Sequence, residues 1–279
     1  MTTSIVAPLA LGVSLHTLDA EQRLESVKLL AGSSVKSVEL WEPTFAKDDR
    51  HAAEVRRALF RAGIEPRTVH ANFGGGLDIS SPDAAVRSAG LRAVAVALDL
   101  AVRMGARIVI VHPSSEPIAA DVRAARMEHA RGSIQTIVQM ARDAGCCVAL
   151  ELLPRTCLGR SGDELLDLLA TVDADTAGAC LDTNHLMGDY ATLPNVVRGL
   201  GPRLLALHCS DYDGVDEKHW PPLRGVIDWP AFIAALREAG FSGPFHYEAA
   251  LEGRTPAERL AFLERNFGQV MGGSGHRMG

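Results

Sequence analysis

Short apolar runs, several of them β-branched, alternate along the whole chain with longer segments of helical period. The runs are LALGVSL (centred on 10–15), VKSVEL (35–40), RTVHA (67–71), ARIVIVH (106–112), CVALEL (147–152), TAGACLD (176–182), RLLALH (203–208) and PFHYEA (244–249). They read as strands. Between them, AEQRLESVKLLAG (20–32) and HAAEVRRALFRAG (51–63) carry helical patterns that end in glycine, a usual helix stop. Segments 83–105, 119–145 and 229–240 behave the same way. Dividing 279 residues by eight leaves about 35 for each strand–helix unit with its loops.

Eight such units predict a single-domain (β/α)8 barrel over residues 1–271. A doubly wound open sheet is the competing architecture, but it needs no eight units, and no GxGxxG follows the first strand. Gly74-Gly75-Gly76 comes after the third strand and opens no clear helix, so it reads as a flexible loop rather than a phosphate cradle. No Pro/Gly-rich linker divides the chain. The tail GGSGHRMG (272–279) reads as disordered, which leaves His276 out of any site.

Composition narrows the function classes. The chain is 47% hydrophobic and 22% charged, an ordinary soluble globular balance. A net charge of −6 and a pI near 5.9 argue against a protein whose main task is gripping nucleic acid. The apolar stretch IVAPLALGVSL lacks preceding basic residues and a convincing cleavage site, so it reads as the first strand rather than a signal core. No apolar run approaches the ~20 residues of a membrane helix. Of five cysteines, Cys146 and Cys147 are adjacent, and Cys180 and Cys209 lie in or beside strands. Free thiols in a reducing compartment, hence a cytoplasmic protein, are the expectation.

Barrels of this kind form their sites at the C-terminal ends of the strands. Here those ends carry His70, His112, Glu151, Asp182, His208 and Glu248, all metal-ligand types. With ten histidines in 279 residues, eight strand ends should hold fewer than one by chance. A lone His at a strand end is usually a satisfied polar tip, and a lone Glu an ion-pair partner. Three carboxylates in one barrel mouth are harder to dismiss, because like charges that close cost stability unless a cation neutralises them. A divalent metal held by Glu151, Asp182, His208 and Glu248 is the simplest remedy. Three oxygens and one nitrogen suit Mn, Mg, Co or Zn with positions left open. His16 and Trp41 end strands one and two, and Trp41 is a candidate for stacking on a sugar face. Arg155 and Arg224 are candidates for an anionic group, and Asp211 for orienting His208 or binding substrate. His246 is expected to face away from the barrel axis, and His51 and His129 to lie on helix surfaces.

The chain resembles the xylose isomerase-like barrels, the superfamily that holds sugar-phosphate isomerases and epimerases and zinc-type AP endonucleases. The resemblance runs from about residue 10 to 268. Its carriers are VELW (38–41), VHANF (69–73), IVIVHP (108–113), LELLPR (150–155), CLDTNH (180–185), LHCSDYDG with KHWPP and GVIDW (207–229), and HYEA (246–249). The epimerase pattern implies Glu151, Asp182, His208 and Glu248 as ligands of one divalent metal. It makes Glu151 and Glu248 the proton-transfer pair and His185 a substrate contact. Where epimerases of free ketohexoses carry an arginine after the seventh-strand His, this chain reads SDYDGVDEK. The endonuclease pattern adds His70 and His112 beside Glu151 for a second metal. For a third it adds His185 with an Asp-x-His pair, here Glu217-Lys218-His219, giving two to three zinc ions in all.

The resemblance therefore implies a metal-dependent isomerase or epimerase of a sugar, sugar phosphate or keto-sugar. It would work by proton abstraction beside a carbonyl, through a metal-stabilised enediolate. A keto-sugar dehydratase on the same scaffold and an AP endonuclease-like phosphodiesterase are the alternatives, with a non-catalytic sugar-binding protein behind them. Relatives suggest a homo-oligomer by analogy.

Overall fold

Each of the eight apolar runs forms a strand. The computed structural model describes residues 9–272. The strands are β1 Leu11–Ser14, β2 Val35–Trp41, β3 Glu65–His70, β4 Ile108–Val111, β5 Cys147–Glu151, β6 Ala177–Asp182, β7 Leu204–His208 and β8 Phe245–Tyr247. The helices that follow them are α1 Leu24–Lys28, α2 Asp49–Ala62, α3 Ala84–Met104, α4 Arg123–Ala144, α5 Gly162–Leu168, α6 Leu193–Leu200, α7 Trp229–Glu238 and α8 Pro256–Gly272. Of the tail expected to be disordered, Gly272 ends α8, and the remainder with His276 lies outside the described residues.

All paired strands are parallel, in the order β7-β6-β5-β4-β3-β2-β1-β8. A parallel bridge between Cys209 and Tyr247 joins the two ends of that order, and Cys209 N donates to His246 O at 2.7 Å. The sheet thus curls into a barrel with its helices outside.

The strand period of two sorts the residues into two cores. Val109 and Val111, Val148 and Leu150, Leu181, Leu207, Phe245 and Tyr247 face outward into the layer between sheet and helices. There Trp229 of α7 sits 5.5 Å from the Phe245 ring. The inward positions of β4 to β7 form a separate small cluster of Ile108, Ile110, Ala149, Cys180 and Ala206. On the opposite wall the inward positions are polar: Ser14, Ser37, Glu39, Thr68 and His246, all buried. This polar half of the interior lies directly beneath the strand ends that carry the candidate site.

Helix ends follow the caps in the sequence. Asp83 accepts from Ala85 N at the start of α3, and Asp48 from His51 N at the start of α2. Gly63, Gly105 and Gly145 adopt left-handed backbone and close α2, α3 and α4, as their positions predict. The helix expected over 20–32 contracts to α1. Its first residues are taken up by a loop in which Asp19 accepts from the backbone N–H groups of Glu21 and Arg23. Of these eight helices, α5, α6 and α8 lie outside the segments singled out by period. All five cysteines are free. Among the described residues no helix is long and apolar enough to cross a membrane.

Candidate metal centre

The C-terminal ends of the strands open into a cavity of about 970 Å³. His16, Trp41, His70, His112, Glu151, Arg155, His185, Glu217, His219 and Glu248 all line it. Beneath it, Glu151, Asp182, His208 and Glu248 each bring one ligand atom within 4.8 Å of the others. His208 Nδ1 lies 2.7 Å from Glu248 Oε2 and 3.2 Å from Glu151 Oε1. Two further groups share members of this set at the same spacing, His70 with His112 and Glu151, and Asp182 with His185 and His219. His70 and His112 both point Nε2 at Glu151 Oε2, at 3.1 and 3.0 Å.

The electrostatics are those of a site that draws positive charge. Burial alone would raise the Glu151 carboxyl, yet the imidazoles of His208 and His112 hold it well below the usual range. Glu248 is likewise lowered to about 2, with His208 outweighing burial. Burial pulls His70 down, but the Glu151 carboxylate lifts it to about 9. His208, although buried, is raised well above the ordinary imidazole value by Cys180, Glu248, Glu39 and Glu151. Asp182 goes the other way: burial raises it. Its Oδ1 accepts from Asn184 N at 2.7 Å, and its buried Oδ2 has no hydrogen-bond partner. His185 Nδ1 lies 3.6 Å from that oxygen, too far for a hydrogen bond. A buried carboxylate oxygen without a donor is costly, and a bound cation removes that cost. The donor set and this orphaned oxygen fit a divalent ion.

Asn184 and the loop after β7 complete the mouth. With its side-chain oxygen turned toward them, Asn184 accepts from the backbone N–H groups of Lys218 and His219, at 3.2 and 2.8 Å. Ala250 N donates to His219 O at 2.7 Å. Glu217 is thereby held with Oε2 3.7 Å from His185 Nε2. His185 Nδ1 lies 2.9 Å from Leu152 O; donating there turns Nε2 toward the cavity and Glu217. Trp41 stands 5.3 Å from both His70 and Phe73, and Phe73 stacks on His112 at 3.8 Å. Together they make an aromatic wall. Gly74, first of the three consecutive glycines, lines the same cavity.

Three expectations change on the structure. Asp211 neither orients His208 nor faces the cavity. It is buried with Oδ1 accepting from Tyr212 N and Ile227 N and Oδ2 from Trp229 Nε1, so it fastens the base of the loop. Arg155 does line the cavity, but its guanidinium is shared among Glu116, Asp216 and Glu217. It clips the loop down across the mouth and is not free for an anion; Arg224 is paired with Glu252 at the surface. His246 faces the interior, with Nε2 3.2 Å from Ser14 Oγ, because it shares the parity of Glu248, and burial lowers it to about 4.

One buried residue was not foreseen. Glu39, 2% exposed, sits inside the barrel two residues before Trp41. It accepts from Ser14 Oγ and Thr68 Oγ1, each at 2.8 Å, and lies 3.0 Å from His208 Nε2. The period of two in VELW is the signal that marks it as inward.

The chain belongs to the xylose isomerase-like TIM barrel family, whose profile matches residues 27–266. An uncharacterised protein of Methanocaldococcus jannaschii is 25% identical over 185 residues, 64% of this chain and 63% of that protein. A ketose 3-epimerase of Arthrobacter globiformis is 25% identical over 177 residues, 62% of this chain and 59% of its own. The chain thus spans about three fifths of the length of the curated relatives it matches. A crystal structure of a D-tagatose 3-epimerase-like protein superposes with a TM-score of 0.79 at 21% identity, covering 94% of this chain and 98% of that one, and supports the fold.

Proposed function

We propose that this protein is a divalent-metal-dependent sugar isomerase or epimerase that moves a proton beside a carbonyl. The observation that carries the reading is the quartet Glu151, Asp182, His208 and Glu248, with ligand atoms within 4.8 Å of one another and one Asp182 oxygen without a hydrogen-bond donor. Similarity to the Arthrobacter globiformis ketose 3-epimerase supports the sugar class. A divalent ion held by the quartet would polarise the substrate carbonyl and spread the charge left by deprotonation.

The chain's own groups do the rest. Glu151 and Glu248 are both held ionised and so are able to accept a proton. They come from β5 and β8, so one can take the proton and the other return it from a different direction. His70 and His112 hold Glu151 Oε2, steadying the carboxylate for either step. Trp41 and Phe73 supply a face for a sugar ring, and Glu217 and His219 close the mouth above it. The free thiols agree with a reducing, cytoplasmic setting.

Deuterium uptake from heavy water into a panel of keto-sugars tests proton abstraction. Glu151→Gln and Glu248→Gln should each lower exchange by about 10³-fold or more with circular dichroism unchanged. Full exchange in either variant, or none in the parent with any keto-sugar, defeats the reading.

A second reading has its own observation. The groups His70–His112–Glu151 and Asp182–His185–His219 complete a set of ligands for three ions, as zinc-dependent phosphodiester hydrolysis would need. The acidic balance of 34 acids to 28 bases counts against a DNA substrate. Two to three zinc ions per purified chain with nicking of abasic DNA would establish this reading instead. A dehydratase would reveal itself by loss of water from the same exchanging substrate.

A further inference from the structure

Glu39, unlike Glu151 and Glu248, does not border the cavity. It sits inside the barrel, below the quartet, and touches three other strands through Ser14 of β1, Thr68 of β3 and His208 of β7. Burying a carboxylate is expensive, and joining strands needs only neutral hydrogen-bonding groups. What a carboxylate adds is a strong preference for an N–H donor at one imidazole nitrogen.

The two nitrogens of His208 face different surroundings. Nδ1 meets Glu151 Oε1 and Glu248 Oε2, both members of the quartet, whereas Nε2 meets Glu39 Oε2. A neutral imidazole carries one proton. Only if that proton is on Nε2 does Nδ1 offer a lone pair to an ion. The two hydroxyls keep Glu39 in place: Ser14 Oγ donates to Oε1, and Thr68 Oγ1 donates to Oε2, the oxygen that faces His208.

We propose that Glu39 is the positioning residue of the metal centre. It accepts a hydrogen bond from His208 Nε2–H and so fixes the tautomer and ring orientation that present Nδ1 to the ion. This rests on reading the quartet as a divalent metal site. Outer partners of this kind typically change metal affinity by about 10- to 100-fold when removed.

The experiment uses the full chain stripped with chelator and titrated with zinc against a competing indicator. Glu39→Gln keeps a weaker acceptor and should bind zinc about 10-fold more weakly; Glu39→Leu removes it and should lose about 100-fold. In zinc-loaded protein labelled with ¹⁵N-histidine, the parent should show His208 protonated on Nε2 with Nδ1 bound to zinc, and Glu39→Leu should lose that signature. A merely structural role would lower the melting temperature and leave affinity and tautomer alone, which overturns the proposal. Should Glu39→Leu fail to fold, Ser14→Ala, which removes one hydroxyl steering Glu39, should weaken zinc binding in the same direction by a smaller factor, and unchanged affinity there overturns it too. If the parent binds no divalent ion at all, the reading of the quartet falls and this inference with it. If the parent binds and Glu39→Leu binds equally, only the inference falls.

Discussion

Asp182 and Asp211 are both fully buried carboxylates, and they meet burial in opposite ways. Asp211 collects donors from Tyr212, Ile227 and Trp229 and so is a fastening point. Asp182 keeps one oxygen without a hydrogen bond, with His185 Nδ1 3.6 Å away, as a cation ligand would require. Residue type says nothing of this difference, which is why the sequence supported a substrate role for Asp211. Asp19, at the rim, shows the same competition in measurable form. Burial would raise its carboxyl, but hydrogen bonds from Arg23 and Ser26 bring it from 3.8 to about 2. A depressed acid contributes stability above its unfolded value, and that contribution fades as pH falls from about 4 toward 2. Because Arg23 is largely exposed, solvent screening trims the gain. Asp19→Asn should therefore cost about 1 kcal/mol at neutral pH. Urea unfolding of parent and variant should show the gap narrowing as pH drops from about 5 to 2.5; a constant gap contradicts this origin.

At the level of elements, period two places His70, Glu151, Asp182 and His208 at inward strand ends, and the same period applied to VELW and HYEA places Glu39 and His246 inward as well. The first group was legible because a strand end is visible as the edge of an apolar run. The second was not, since an inward polar residue in mid-strand departs from the usual apolar filling of a barrel. The loop after β7 has no period to read. Its shape comes from the pairing of Asp211 with Trp220 and from Arg155 across the mouth. Gly225 permits the close approach at its base, since a Cβ there would lie 2.0 Å from Tyr212 O and 2.6 Å from Asp211 Oδ1. Gly225→Ala should push the loop off its seat at a cost of about 1–3 kcal/mol. Trypsin should then cut after Lys218 faster than in the parent, and KM should rise. Unchanged cleavage would mean that the loop is held elsewhere.

For the molecule as a whole, an ion that binds only the folded barrel stabilises it by mass action. At a concentration about 100 times its Kd the gain is about 2.7 kcal/mol. In a chain of this size that corresponds to about 5 °C in melting temperature. Mn, Co or Zn added to stripped protein should produce such a rise, reversed by EDTA, and no shift with any of them weighs against the centre. The sequence by itself determined the eight-unit plan and the residues that crown the strands, because strand and helix periods are local and ligand types can be read one by one. Only the tertiary structure decided which imidazole nitrogen faces which carboxylate, that Glu39 lies under His208, and that Arg155 is already engaged. Those are relations between strands and loops remote in the chain, set by how the barrel closes and by the pairing of buried charges, and no local pattern encodes them.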